Sequence, residues 1–198
     1  MKTNHLRSSF QIENNPHLSD QDLKIFLNNL SQIEEIRIKD CPQLGGASLS
    51  LLATLPVKFL DWIGNPAASS RHYLTLCRLA NTLTSLNVSG SSGFDQDACE
   101  ATICTCGNLR SLDVSFCPIG PRSFRCTRSP LAFLNLQGCS AITDETLKDL
   151  SQIPDLRHLF LANNPHLTSQ GYDFLRSLSL ETLSIRGRGA WNLCPISV

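Results

Sequence analysis

One pattern of apolar residues recurs along this chain every 22 to 26 positions, and no other feature of the sequence constrains the fold as tightly. Its clearest copy runs from Leu131 to Leu147, LAFLNLQGCSAITDETL. Leu131, Leu134 and Leu136 alternate with Phe133 and Asn135 as in a short strand. Cys139 follows three residues later, Ile142 three after that, and Thr143 then stands where a helix begins. Aligned on Cys139, the copies are anchored at Asn15, Cys41, Asn65, Ser91, Cys117, Cys139, Asn164 and Arg188, in steps of 26, 24, 26, 26, 22, 25 and 24 residues. Each anchor is preceded by an apolar pair: Phe10/Ile12, Ile36/Ile38, Leu60/Trp62, Leu86/Val88, Leu112/Val114, Leu134/Leu136, Leu159/Leu161 and Leu183/Ile185. The position ahead of that pair is apolar in the last seven copies (Ile33, Val57, Leu83, Leu109, Leu131, Leu156, Leu180) but is Arg7 in the first, which is therefore imperfect.

After each strand the chain has to turn and come back. Ser19, Asp95, Thr143 and Thr168 each sit one residue past an apolar position, where a helix wants a side-chain acceptor for its first unpaired N–H groups. Leu23, Phe26 and Leu27, or Leu147 and Leu150, then recur at three- and four-residue spacing and predict the face that packs on the sheet, with a polar face opposite. The interval from Cys117 to Cys139 is the shortest and holds Gly120, Pro121 and Pro130, so its return segment, PRSFRCTRS, is predicted to be irregular. A strand, a returning helix and a parallel strand make a right-handed crossover, and its repetition stacks a solenoid in which neighbours supply each repeat's core. No internal boundary is expected: residues 1–198 read as a single domain of about eight repeats.

The template Leu-x-x-Leu-x-Leu-x-x-(Asn/Cys)-x-x-Leu resembles that of leucine-rich repeat proteins. The stretch LNLQGCSAITDETLKDLSQIPDLRHLFL is similar to the cysteine-containing subfamily, through its strand leucines, Cys139, Ile142-Thr143-Asp144, Leu147 and Leu150, with weaker copies over roughly residues 7 to 191. The resemblance implies an α/β leucine-rich repeat solenoid, a horseshoe with a parallel β-sheet on its concave face and helices on its convex face. That subfamily occurs in the substrate-binding parts of F-box proteins and related adaptors, and similar proteins occur as injected effectors of intracellular bacteria. The implied function is a non-catalytic scaffold binding a protein partner, as a substrate-recruiting adaptor of a ubiquitin pathway or as an effector acting on host proteins. No separate helical segment that could serve as an F-box is expected ahead of the repeats, because the first strand starts near residue 8.

Seventeen basic residues balance seventeen acidic ones, so no net field draws the chain to nucleic acid or to an anionic membrane, and neither is expected as a partner. Nine cysteines are an odd number for a disulfide framework. Cys41, Cys117 and Cys139 fall at anchors, where the side chain turns inward to bond neighbouring backbone, and such thiols suit a reducing compartment. A cytoplasmic location is expected, or, for an effector, the cytosol of a host cell. Cys99, Cys104 and Cys106 lack the paired spacing of a zinc ribbon, so no metal and no cofactor is expected. Cys77, Cys126 and Cys194 lie off the anchors and are the predicted reactive thiols. A cysteine-dependent enzyme would need Cys139 and His158 to meet, yet one points into the turn and the other toward the concave face. The twin segments Asn14-Asn15-Pro16-His17-Leu18 and Asn163-Asn164-Pro165-His166-Leu167 read as equal turns with exposed histidines, six repeats apart.

Function is therefore expected on the concave face, whose outward positions can be read directly. One column runs Gln11, Arg37, Asp61, Asn87, Asp113, Asn135, Phe160 and Ser184, and its neighbour runs Ser9, Glu35, Phe59, Ser85, Ser111, Phe133, His158 and Thr182. The predicted partner-binding residues are Phe59, Asp61, Asn87, Asp113, Phe133, Asn135, His158 and Phe160, with Phe133, His158 and Phe160 as an aromatic patch. At the ends, the first strand, with Ser8, Ser9, Gln11 and Glu13, is an open edge that can self-associate. Trp191 and Leu193 are predicted to fold down as a lid on the last repeat.

Overall fold

The computed structural model describes residues 9–28 and 30–185. Strand and helical return alternate along it: β1 (Ser9–Glu13), α1 (Asp20–Leu27), β2 (Glu35–Lys39), α2 (Gly46–Leu52), β3 (Phe59–Ile63), α3 (Ser70–Tyr73) continued by a 3-10 turn (Leu74–Leu79), β4 (Ser85–Asn87), α4 (Gln96–Thr105) and β5 (Ser111–Asp113). Then follow β6 (Phe133–Asn135), α5 (Asp144–Leu150), β7 (His158–Phe160), α6 (Ser169–Asp173) continued by a 3-10 turn (Phe174–Ser177), and β8 (Thr182–Ser184). The eight strands form one parallel sheet in chain order, each bonded to the next. No step of the register slips: Gln11 stands beside Arg37, then Asp61, Asn87, Asp113, Asn135, Phe160 and Ser184. A slip of one residue would turn the strand leucines out to solvent, which is why the apolar pair fixes the register.

The core lies between sheet and helices. Ile36, Leu60, Leu86, Leu112, Leu134 and Leu159 are buried from the strands, and Leu23, Leu27, Leu49, Leu52, Leu76, Ile103, Leu147 and Leu150 from the returns. Each such side chain contributes roughly 1.5–3 kcal/mol on transfer from water. The terminal strands are less covered among the described residues: Phe10 and Ile12 in β1 and Leu183 in β8 are only partly buried. Ser19, Asp95, Thr143 and Thr168 are the residues that precede α1, α4, α5 and α6, as their spacing requires. Asp95 accepts from the Ala98 N–H at 3.1 Å, and Ser19 and Asp22 cap one another reciprocally.

The anchors share one chemical duty. The Asn65 Nδ2 donates to the Ile38 carbonyl at 3.2 Å, Ser91 Oγ to Trp62 at 3.2 Å, Cys117 Sγ to Val88 at 3.1 Å, Cys139 Sγ to Val114 at 3.1 Å and Asn164 Nδ2 to Leu136 at 2.9 Å. In every case the acceptor lies three residues before the preceding anchor. Asparagine, serine and cysteine alternate there because each brings a donor small enough to fit a buried turn and satisfies a carbonyl that would otherwise be orphaned. Cys41, beside the imperfect first repeat, instead donates to the Lys39 carbonyl at 3.4 Å.

A second tie runs along the helical side. The Asp20 Oδ1 accepts from the Gly45 N–H at 2.8 Å, Ser70 Oγ donates to Asp95 Oδ1 at 2.7 Å, and Asp144 accepts from the Thr168 N–H at 2.9 Å and its hydroxyl at 2.6 Å. A group at the start of one helix thus bonds the start of the next.

Two local outcomes matter. Residues 121–126 are a run of turns with no helix, as the glycine and prolines predict, and Phe124 from that segment is buried. In α1, however, Leu23 and Leu27 are buried while Phe26 is 52% exposed and Ile25 58% exposed. The expectation that Phe26 packs on the sheet, and that the opposite face is polar, is corrected for this helix. The i and i+4 positions, Leu23 and Leu27, face the sheet, whereas Phe26 falls on the flank.

Candidate protein-binding face

The side of the sheet that carries no helices presents the two predicted columns, and all eight predicted residues lie on it half-buried: Phe59, Asp61, Asn87, Asp113, Phe133, Asn135, His158 and Phe160. They do not form one uniform site. Toward the N-terminus the face is occupied by ion pairs. Arg37 Nε meets Asp61 Oδ2 at 2.7 Å, which raises the Arg37 pKa further, and on the neighbouring rim Lys58 Nζ meets Glu34 at 2.6 Å. Phe59 lies in this charged half.

In the middle, Asn87, Asp113 and Asn135 hold turns. Their Oδ1 atoms accept the backbone N–H of Ser89, Ser115 and Gln137 at 3.0, 2.9 and 3.0 Å, two residues onward in each case. Asn135 Nδ2 also donates to Asp113 Oδ2 at 2.9 Å. The polar ladder thus works inside the molecule, which leaves it fewer open hydrogen-bonding positions for a partner than strand alternation alone suggests.

Toward the C-terminus the face is aromatic. The Phe133 and Phe160 rings stand 5.3 Å apart, tilted by 42°, and the Phe133 and His158 rings 6.5 Å apart. His158 is oriented by Thr182 Oγ1 at 3.2 Å from Nδ1 and by Glu181 at 3.7 Å from Nε2. The patch joins ring area to two polar edges on a rigid sheet.

The turns that follow the strands present a residue that the two strand columns do not contain. The position before each anchor from Asn15 to Asn164 adopts left-handed backbone, with φ of 54° at Asn14, 53° at Asp40, 64° at Gly64, 70° at Gly90, 60° at Phe116, 68° at Gly138 and 62° at Asn163. Glycine, asparagine and aspartate tolerate that region; a bulky aromatic does not. Phe116 nevertheless stands there, 59% exposed, with its ring over Gly138, where an added Cβ would come within 2.6 Å of it. The left-handed backbone thus holds an exposed aromatic in a strained conformation. The signal was in the sequence: one aromatic in a column otherwise made of Gly, Asn and Asp.

Other predicted positions fall elsewhere. Cys139 is buried with its thiol on the Val114 carbonyl, and burial pushes its pKa up to about 12, while His158 is on the concave face, so the two are not brought together. His17 and His166 are exposed on their loops. Among the described residues no three His, Cys, Asp or Glu side chains gather as a metal site, and no helix is long and apolar enough to cross a membrane. Arg7, Ser8, Arg188, Trp191, Leu193 and Cys194, and with them the predicted lid, lie outside the described residues.

Strand, left-handed turn, anchor and return, repeated beside themselves in one parallel sheet, define an α/β solenoid. The comparisons agree. A family model described as a leucine-rich repeat matches residues 105–123. Solved structures of similar shape include Rad7 in its yeast complex with Elc1 (TM-score 0.60, 17% identity, 90% of this chain and 56% of that one). They also include a TLR13–ssRNA13 complex (0.65, 19%, 90% and 29%) and an internalin, InlF, of Listeria monocytogenes (0.57, 18%, 81% and 50%). The chain thus spans little more than half of the longest-matched of these structures and less of the others. No curated protein matches the sequence significantly. The chain has the leucine-rich repeat solenoid fold.

Proposed function

We propose that the chain is a non-catalytic scaffold that receives a protein partner on its concave face, anchored at Phe133, His158 and Phe160 with Phe116 on the adjoining rim. The observation that carries this reading is the Phe133–Phe160 pair, two half-exposed rings 5.3 Å apart on a rigid sheet. Aromatic side chains held in place lose little entropy on binding and dominate interface energetics. The Rad7 structure, solved as a complex with Elc1, supports a protein as the partner. TLR13 is recorded with ssRNA13, but here Asp61 and Asp113 stand on the face and Arg37 and Lys58 are paired to carboxylates, which favours a protein over a phosphate backbone.

The finer role belongs to the same proposal. The resemblance of the repeats to the cysteine-containing subfamily supports a substrate-recruiting adaptor of a ubiquitin pathway, with a bacterial effector acting on host proteins as the alternative. Membership of the cysteine-containing subfamily rests on Cys41, Cys117 and Cys139 at the anchors. Cytoplasmic residence, or the host cytosol for an effector, is supported by eight described cysteines that are all free thiols. The exposed Ser9, Gln11 and Glu13 of β1 offer an edge for a second chain.

The test is capture of partners from lysate by the intact protein and by a Phe133→Ala/Phe160→Ala variant with unchanged circular dichroism, followed by calorimetry on whichever partner is purified. Binding through this face requires the variant to lose it by roughly 30-fold or more, about 2 kcal/mol. Equal affinity for both proteins would move the site to the helices or the open edge.

A further inference from the structure

The irregular return segment that replaces a helix in the shortest repeat ends at Cys126, an exposed thiol. Against it lies Cys104, the penultimate residue of α4, whose Sγ is 2.8 Å from the Cys126 carbonyl oxygen and which also interacts with the Cys126 side chain. The backbones behind the two thiols are tied: Arg128 and Ser129 N–H both donate to the Ile103 carbonyl, at 3.3 and 3.2 Å, and Ser129 Oγ donates to the Ile103 and Cys106 carbonyls at 2.8 Å. Most other described cysteines are differently placed. Cys41, Cys99, Cys106, Cys117 and Cys139 are buried.

We propose that Cys104 and Cys126 form a peroxide-responsive dithiol, and that oxidation closes a disulfide stapling the end of α4 to the return segment of the next repeat. The exposed Cys126 reacts first. Its thiolate attacks one oxygen of hydrogen peroxide, the O–O bond breaks, the departing hydroxide takes a proton to leave as water, and Cys126 sulfenic acid remains. The Cys104 sulfur then attacks the Cys126 sulfur, the S–O bond breaks, and the hydroxyl leaves as water with the Cys104 proton. Two thiols lose two electrons and two protons while one peroxide becomes two waters. Burial, followed by the neighbouring Cys126 thiol, pushes the Cys104 pKa up to about 11, which keeps it from making the first attack. The link closes a loop of 22 positions in sequence between two residues whose thiol and carbonyl already touch, so it restricts the unfolded chain.

The experiment uses the full reduced chain and a few equivalents of hydrogen peroxide, with thiol titration, mapping by mass spectrometry without reductant, and thermal melting. Two thiols should disappear in the wild type, in one Cys104–Cys126 link, with a Tm raised by several degrees and returned by dithiothreitol. Cys126→Ser should keep all its thiols at the same dose, and Cys104→Ser should accumulate a sulfenic acid at Cys126 that a dimedone probe traps. A link through another pair, such as Cys77 with Cys106, overturns the assignment. So do a Cys126 that oxidises to the sulfinic acid in the wild type without linking and a Cys126 that links only between molecules.

Discussion

The two ends of the concave face are built on one register and use it differently. Across β2 and β3 the outward column pairs Arg37 with Asp61, a contact satisfied within the molecule and 44% and 26% exposed at its two side chains. Across β6 and β7 the outward residues are Phe133, His158 and Phe160, rings that touch one another and leave their outer faces to solvent. An ion pair already made has little to offer a partner, because removing either charge from its neighbour costs what a new contact returns. Exposed rings have apolar area still to bury. Sheet geometry alone thus does not decide where a solenoid binds; the state of its side chains before binding does.

The sharpest way to break this comparison is a charge in the aromatic half. Phe160→Glu should abolish measurable partner binding, a loss of more than about 2 kcal/mol, while the half-exposed site leaves the unfolding midpoint nearly unchanged. Calorimetry and urea melting read the two effects, and retained affinity would mean the rings are incidental. Next in size is Phe116→Gly. It removes a bulky residue from left-handed backbone and should stabilise the fold by roughly 1 kcal/mol in urea unfolding, within the 1–2 kcal/mol cost of that conformation. It should weaken binding at the same time; a variant that is more stable and binds equally well would show that the strain serves no partner. The smallest effect is expected in the charged half. Arg37→Ala should change stability by less than about 1 kcal/mol, and by less still in high salt, as exposed pairs do. A larger loss, or any loss of partner affinity, would erase the distinction between the halves.

The aromatic patch was legible in the sequence because anchor spacing fixes register, and register fixes which residues stand side by side: Phe133, His158 and Phe160 could meet in only one way. The anchors' duty was legible in part, since a small donor at Cys117 and Cys139 is a chemical constant of the pattern. What alternation could not reveal is the demand of the backbone. It shows that Asn87, Asp113 and Asn135 point outward, but not that an N–H two residues ahead takes up their Oδ1 atoms. Nor does periodicity separate the i+3 flank from the i+4 face in a short helix, which is why Leu27 is buried and Phe26 is not. The nearness of Cys104 to Cys126 was hidden for a different reason. A segment without helix has no periodicity from which its direction can be read.

The ties from one helix start to the next, Asp20 to Gly45, Ser70 to Asp95 and Asp144 to Thr168, each join one unit to its immediate neighbour and to nothing farther away. Such a chain is a zipper under tension. Held by its two ends in an optical trap, it should pay out in discrete increments, each releasing one period of 22 to 26 residues, or up to ~90 Å of contour at ~3.5 Å per residue. The outermost units should yield at the lowest force, and oxidising Cys104 and Cys126 should shorten the increment that contains them. One abrupt lengthening of the whole chain would instead mean that the units rupture together.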